Sequence, residues 1–116
     1  MKGIKNKKQL NTQRNNIARL FRSSSKVGSL RNCVRINVGN TFEHELAKFE
    51  LCFALKQKGQ QYLTEAEFAG SGVFKQRADV VCLDTGIIHE IAVSESYKSL
   101  QRKEKEWPLP IRIVRP

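Results

Sequence analysis

The chain has 116 residues, 40% of them hydrophobic, which fits one domain around a single modest core. Its formal net charge is +10, and its three cysteines, Cys33, Cys52 and Cys82, are widely spaced without a CxxC pair, which argues for a reducing cytosol and against a structural zinc site. No apolar run approaches the roughly 20 residues that span a bilayer, and no hydrophobic signal segment opens the chain, so a soluble, cytoplasmic protein with no membrane partner is expected.

The charge is unevenly placed. No acidic residue precedes Glu43, whereas Lys2, Lys5, Lys7, Lys8, Arg14, Arg19, Arg22, Lys26, Arg31 and Arg35 all do. Residues 1–40 therefore read as a basic N-terminal arm, partly helical, ahead of an α/β core over 41–116. Such an arm suits a polyanion, nucleic acid first, although a solvated tail or an anionic surface gives the same composition. The positions expected to grip nucleic acid are Lys2, Lys5, Lys7, Lys8, Arg14, Arg19 and Arg22.

In chain order, residues 1 to about 8 read as a mobile basic tail. Leu10, Ile17, Leu20 and Phe21 give a weak helical signal, which the Ser23-Ser24-Ser25 cluster and Gly28 interrupt. Val34, Ile36 and Val38 alternate with Arg35 and Asn37 as in a short half-buried strand. The stretch 41–58, closed by Gly59, is the firmest helix. At about 100° per residue it gathers Phe42, Leu46, Phe49 and Phe53 on one face, which predicts deep burial. Glutamates flank that stripe on both edges, so a functional carboxylate can come from either; Glu45 is preferred over Glu43 and Glu50. His44 reads as a satisfied polar residue near the helix start.

After Gly59, Tyr62, Thr64, Ala66 and Phe68 alternate with Leu63, Glu65 and Glu67, predicting a strand. Residues 77–95 then form the centre of the sequence: Val80, Val81, Cys82 and Leu83 follow Asp79, the Asp84-Thr85-Gly86 triplet is a turn, and Ile87, Ile88, Ile91 and Val93 make a returning strand. Asp79 opening one strand and Glu90 within its neighbour can reach one point in space, where two carboxylates repel unless a cation lies between them. Mg²⁺ or Mn²⁺ is the economical choice. Ile88 and Ala92 share the face of Glu90, which predicts a covered pocket there. From Ser96 to Trp107 an amphipathic helix is expected, with Trp107 as a core anchor, and Ile111, Ile113 and Val114 make a last strand after Pro108 and Pro110.

The order from residue 41, helix-strand-strand-strand-helix-strand, together with Glu45 in the first helix, Arg77-Ala78-Asp79-Val80 and His89-Glu90-Ile91-Ala92, resembles the PD-(D/E)XK nuclease superfamily, the restriction-endonuclease-like folds that include archaeal Holliday junction resolvases. The resemblance covers residues 41–115. It implies a mixed central sheet flanked by helices and a metal-dependent endonuclease that hydrolyses DNA, double-stranded or branched, with a homodimer as the expected oligomer. Glu45, Asp79 and Glu90 would be catalytic, with the metal held by Asp79, Glu90 and the main-chain carbonyl of Ile91. The chain departs from the pattern at Ala92, where the family has the lysine that orients or activates water. Lys103 is the expected substitute, with Lys48 and Lys56 as rivals. The alternatives are a catalytically weakened or inactive nucleic-acid-binding protein on the same fold, and a basic-tailed RNA-binding protein.

Overall fold

The structure, a computed structural model, describes residues 6–21, 31–67, 77–93, 107 and 109–116. Its first element, α1 (Lys7–Ala18), starts earlier than expected because Asn6 and Gln9 form a capping box: Asn6 Oδ1 accepts from Gln9 N at 2.8 Å and Gln9 Oε1 from Asn6 N at 3.1 Å. Lys7 and Lys8 are therefore helical and do not belong to a tail. Three residues past the end of the helix, Phe21 is fully buried in the same apolar cluster as Leu63, Val81, Leu83 and Ile88, with Ile17 and Ala18 packed against it.

The second helix, α2 (Phe42–Gln57), is capped by Thr41, whose Oγ1 accepts from His44 N at 3.1 Å, and it ends before Gly59 at φ +73°. Its orientation overturns the expectation. The buried stripe is Glu45, Lys48, Cys52 and Leu55, while Phe42, Leu46, Phe49 and Phe53 lie exposed. The two stripes are roughly 110° apart round the helix. Hydropathy alone selects the phenylalanine face, but the inward face begins with two charges that neutralise each other.

Four strands, β1 (Tyr62–Glu67), β2 (Arg77–Cys82), β3 (Ile88–Ile91) and β4 (Ile111–Val114), form one mixed sheet in the order β1-β2-β3-β4. The first two pairings are antiparallel and the third is parallel. The expected hairpin is present: Gly86 N donates to Cys82 O at 2.9 Å, and Gly86 takes the left-handed φ of +74° that its turn requires. Ile17 of α1 packs over this bare glycine. Trp107 is buried in the core cluster, as expected, and the proposed helix ahead of it lies outside the described residues.

The expected strand at Val34–Val38 does not form. Residues 32–35 instead run beside β1 and are held partly by side chains: Asn32 Oδ1 accepts from Tyr62 N at 3.1 Å, and Thr64 Oγ1 donates to Cys33 O at 2.8 Å and accepts from Arg35 N at 3.0 Å. Val34 packs inward whereas Ile36 and Val38 are exposed. The sheet thus separates two small cores. One contains Phe21 and Trp107; the other, beneath α2, contains Cys52, Leu55, Tyr62, Val80 and Cys82.

Candidate functional site

Regular strands alternate their side chains between faces, and the site is built where this rule breaks. In β1, Tyr62 belongs to the α2 core and Leu63 to the opposite one. Thr64 and Glu65 then both turn toward the α2 side, Thr64 to residues 33–35 and Glu65 to Lys48, before Ala66 returns to the opposite core. Glu65 achieves this with φ +49°, a left-handed conformation that costs a non-glycine residue about 1–2 kcal/mol. Across the ladder, Asp79 occupies the same rung, between the pairs Thr64↔Val80 and Ala66↔Ala78. Val80 lies in the α2 core, Ala78 in the opposite core, and Asp79 reaches His44 of α2. Both strands carry one extra residue on the α2 side, so the register survives and two carboxylates arrive together.

On its other edge Asp79 meets Glu90. The pairs Val81↔Ile88 and Val80↔His89 make Asp79 and Glu90 the next rung, but there the side chains replace the main-chain ladder. Glu90 Oε2 accepts from Asp79 N at 2.9 Å, and Asp79 Oδ2 accepts from Ile91 N at 2.8 Å. Glu90 is 1% exposed, and Ile88 and Ala92 beside it are equally buried, which is the covered setting its neighbours imply.

A chain of polar contacts runs from this rung into α2. His44 Nε2 lies 3.3 Å from Asp79 Oδ2, and its Nδ1 lies 2.8 Å from Glu45 Oε2. Glu45 also accepts from Asn37 N, from Asn40 Nδ2 at 3.3 Å and from Lys48 Nζ at 2.8 Å. Lys48, fully buried, donates further to Glu65 Oε1 at 2.9 Å and to Arg35 O at 3.0 Å, so all three ammonium hydrogens have acceptors. Burial alone would raise the Glu45 pKa, but Lys48, the Asn37 N–H and His44 outweigh it and hold the carboxyl at about 2. Burial likewise disfavours the Lys48 ammonium, yet its hydrogen bonds to Glu45 and Glu65 raise its pKa above the ordinary lysine value. Lys48 is therefore a fixed cation and has no capacity to act as a base near neutrality.

Comparison with protein-family models, with curated proteins and with solved structures finds no match.

The residues expected at the site are distributed as follows. Glu45 and Asp79 come together through His44, Asp79 and Glu90 through their shared rung, and Ile91 follows directly, with its N–H bound to Asp79. Ala92 is buried just past the end of β3. Lys103 lies outside the described residues, Lys56 is exposed, and Lys48 is the rival that the fold brings to the carboxylates. Lys2, Lys5 and Arg22 are also outside; Lys7, Lys8 and Arg19 are exposed. Arg14 is instead part of the fold. Its Nη2 pairs with Asp84 Oδ2 at 2.7 Å and its Nε with both Asp84 oxygens at 3.1 Å, and Gln13 Nε2 donates to the Asp84 carbonyl.

Among the described residues, no group of three or more His, Cys, Asp and Glu side chains is arranged to hold a metal ion. Mg²⁺ needs fewer. It keeps several waters and is usually bound through one or two carboxylates together with substrate phosphate, a donor set that Asp79 and Glu90 match chemically. Glu65 was not anticipated as a site residue, because uninterrupted alternation puts it on the face opposite Thr64. The i, i+3 spacing of Glu45 and Lys48 was the available signal for their pairing. No helix among the described residues is long and apolar enough to cross a membrane.

Proposed function

We propose that this protein is a metal-dependent endonuclease of the restriction-endonuclease-like type that hydrolyses DNA, double-stranded or branched. The observation that carries the reading is the Asp79–Glu90 rung, where two carboxylates from adjacent strands are held by main-chain N–H groups of the facing strand, Glu90 by that of Asp79 and Asp79 by that of Ile91. Asp79, Glu90 and the Ile91 carbonyl would hold Mg²⁺ or Mn²⁺. When bound, that cation supplies Lewis-acid polarisation of the phosphodiester and makes water at the site more acidic.

The chain's own groups do the rest. Glu45 and His44 fix the orientation of the Asp79 carboxylate from the helix side. Lys48 offsets Glu45 and Glu65, so that a site with several carboxylates can fold without a cation. Exposed Lys7, Lys8 and Arg19 supply phosphate affinity without touching the reacting centre.

A second reading, a nucleic-acid-binding protein of the same shape without catalysis, draws on one specific observation. The lysine at the site has all three donors taken, and position 92 is alanine. Nicking of supercoiled plasmid and of a four-way junction in Mg²⁺, Mn²⁺ and EDTA separates the two, and competition between DNA and RNA checks the choice of nucleic acid. Divalent-dependent product supports the endonuclease; tight binding with no product under any cation supports the second reading.

A further inference from the structure

The outer face of α2 has no role in the site. Phe42, Leu46, Phe49 and Phe53 are 81%, 43%, 50% and 55% exposed. They follow one another at intervals of four, three and four residues, the a/d spacing that one helix presents to another. The surface is ordered before any partner arrives: the Phe49 and Phe53 rings already touch at a centroid distance of 6.0 Å, and the inward side of the helix is pinned by Glu45, Lys48, Cys52 and Leu55.

The flanks select the occupant. One edge of the seam, Glu45 and Cys52, is buried against the body, and only Lys56 at its C-terminal end is exposed. The other edge carries Glu43 and Glu50, both exposed, each one residue after a d-type phenylalanine. In a chain of net charge +10 this is an acidic border on an apolar strip. A second copy fits poorly. Antiparallel pairing sets Glu43 beside Glu50 of the other copy twice over, and parallel pairing needs the edge that is buried. An anionic lipid surface meets the same repulsion.

We propose that this face docks an amphipathic helix of another protein, with large apolar side chains at alternating three- and four-residue spacing and lysine or arginine along the flank that meets Glu43 and Glu50. The inference does not depend on the nuclease reading.

The test uses the full chain and two synthetic helices of about 21 residues, three heptads, sharing a leucine seam and differing only in lysine or glutamate flanks. Fluorescence anisotropy should show the lysine-flanked helix binding about tenfold or more tighter, in line with the discrimination that charge placement gives an interface. Glu43→Lys with Glu50→Lys should reverse that order, and Phe49→Ser should weaken both helices while the circular dichroism spectrum is unchanged. Equal binding of the two helices, or an order that the charge swap leaves unaltered, overturns the proposal. So does a concentration-dependent dimer in sedimentation that Phe49→Ser abolishes, which would assign the face to a second copy, or vesicle binding that is lost in the same variant without any preference between helices.

Discussion

Asp79 and Glu90 hold each other through the main chain: the Glu90 carboxylate accepts the Asp79 N–H at 2.9 Å, and the Asp79 carboxylate accepts the N–H of Ile91, the residue after Glu90, at 2.8 Å. Neither bond requires the negative charge, because an amide oxygen accepts as well. Asp79→Asn and Glu90→Gln should therefore fold with a loss of about 1 kcal/mol each, while divalent-dependent cleavage and Mn²⁺ binding disappear. Urea titration, isothermal titration with Mn²⁺ and plasmid nicking on the same preparations check this. Cleavage at the wild-type rate in either variant contradicts the assignment.

Lys48 is the keystone of the buried charges. Lys48→Met removes the cation and leaves Glu45 and Glu65 in a buried setting with no counter-charge, so it should cost about 3–5 kcal/mol. Adding Glu45→Gln and Glu65→Gln should recover most of that loss. A single Lys48→Met variant with unchanged urea midpoint would show that the three side chains do not interact as their 2.8 and 2.9 Å contacts state.

His89 gives the fold an acid sensitivity separate from the site. It is 6% exposed, its Nδ1 has no partner among the described residues, and burial, helped by Arg112 and Lys58, brings its pKa down to about 4. Between its ordinary 6.5 and about 4 the unfolded chain binds a proton that the folded chain refuses, so stability should fall as pH falls through that window, by on the order of 3 kcal/mol. Glu45, with its folded value at about 2, adds a further loss from its ordinary 4.5 downward. Urea midpoints from pH 7 to 4 should slope down in the wild type and flatten in His89→Leu. An identical slope in both would locate the sensitivity elsewhere.

The basic extension divides into exposed residues proposed to bind nucleic acid and residues that belong to the fold. Replacing Lys7, Lys8 and Arg19 by Gln should leave stability unchanged and reduce the slope of log affinity against log salt by roughly 2 to 3, given about 0.9 per phosphate contact on duplex DNA. Arg14→Ala should instead destabilise the protein by about 1–3 kcal/mol, because its guanidinium is 12% exposed and its loss leaves the Asp84 carboxylate without a counter-charge, held by the Gln61 N–H. Deleting residues 1–22 should unfold the chain, since Phe21 leaves the core with it. A deletion that folds normally would show that α1 contributes little to stability.

The sheet, its hairpin turn and the helix at 41–58 could be read from alternation, turn residues and capping. So could the meeting of Asp79 with Glu90, because the turn at Asp84–Gly86 fixes their register. Three features were hidden for physical reasons. The inward face of α2 is chosen by mutual neutralisation of Glu45, Lys48 and Glu65, a pairing between segments that periodicity within one helix does not contain. Glu65 turns to the α2 side through a left-handed φ that glutamate rarely adopts. The segment at Val34–Val38 alternates like a strand, yet the Thr64 side chain takes up the Cys33 carbonyl and the Arg35 N–H, and Ile36 and Val38 remain in water.

That the Asp79–Glu90 rung is a cation-dependent cutting centre is tested by nicking of supercoiled plasmid and a four-way junction by the wild-type protein beside Asp79→Asn. Product is expected with Mg²⁺ or Mn²⁺, none with EDTA, and none with Asp79→Asn at matched DNA occupancy. Binding without product in the wild type, or product of equal yield from Asp79→Asn, contradicts it.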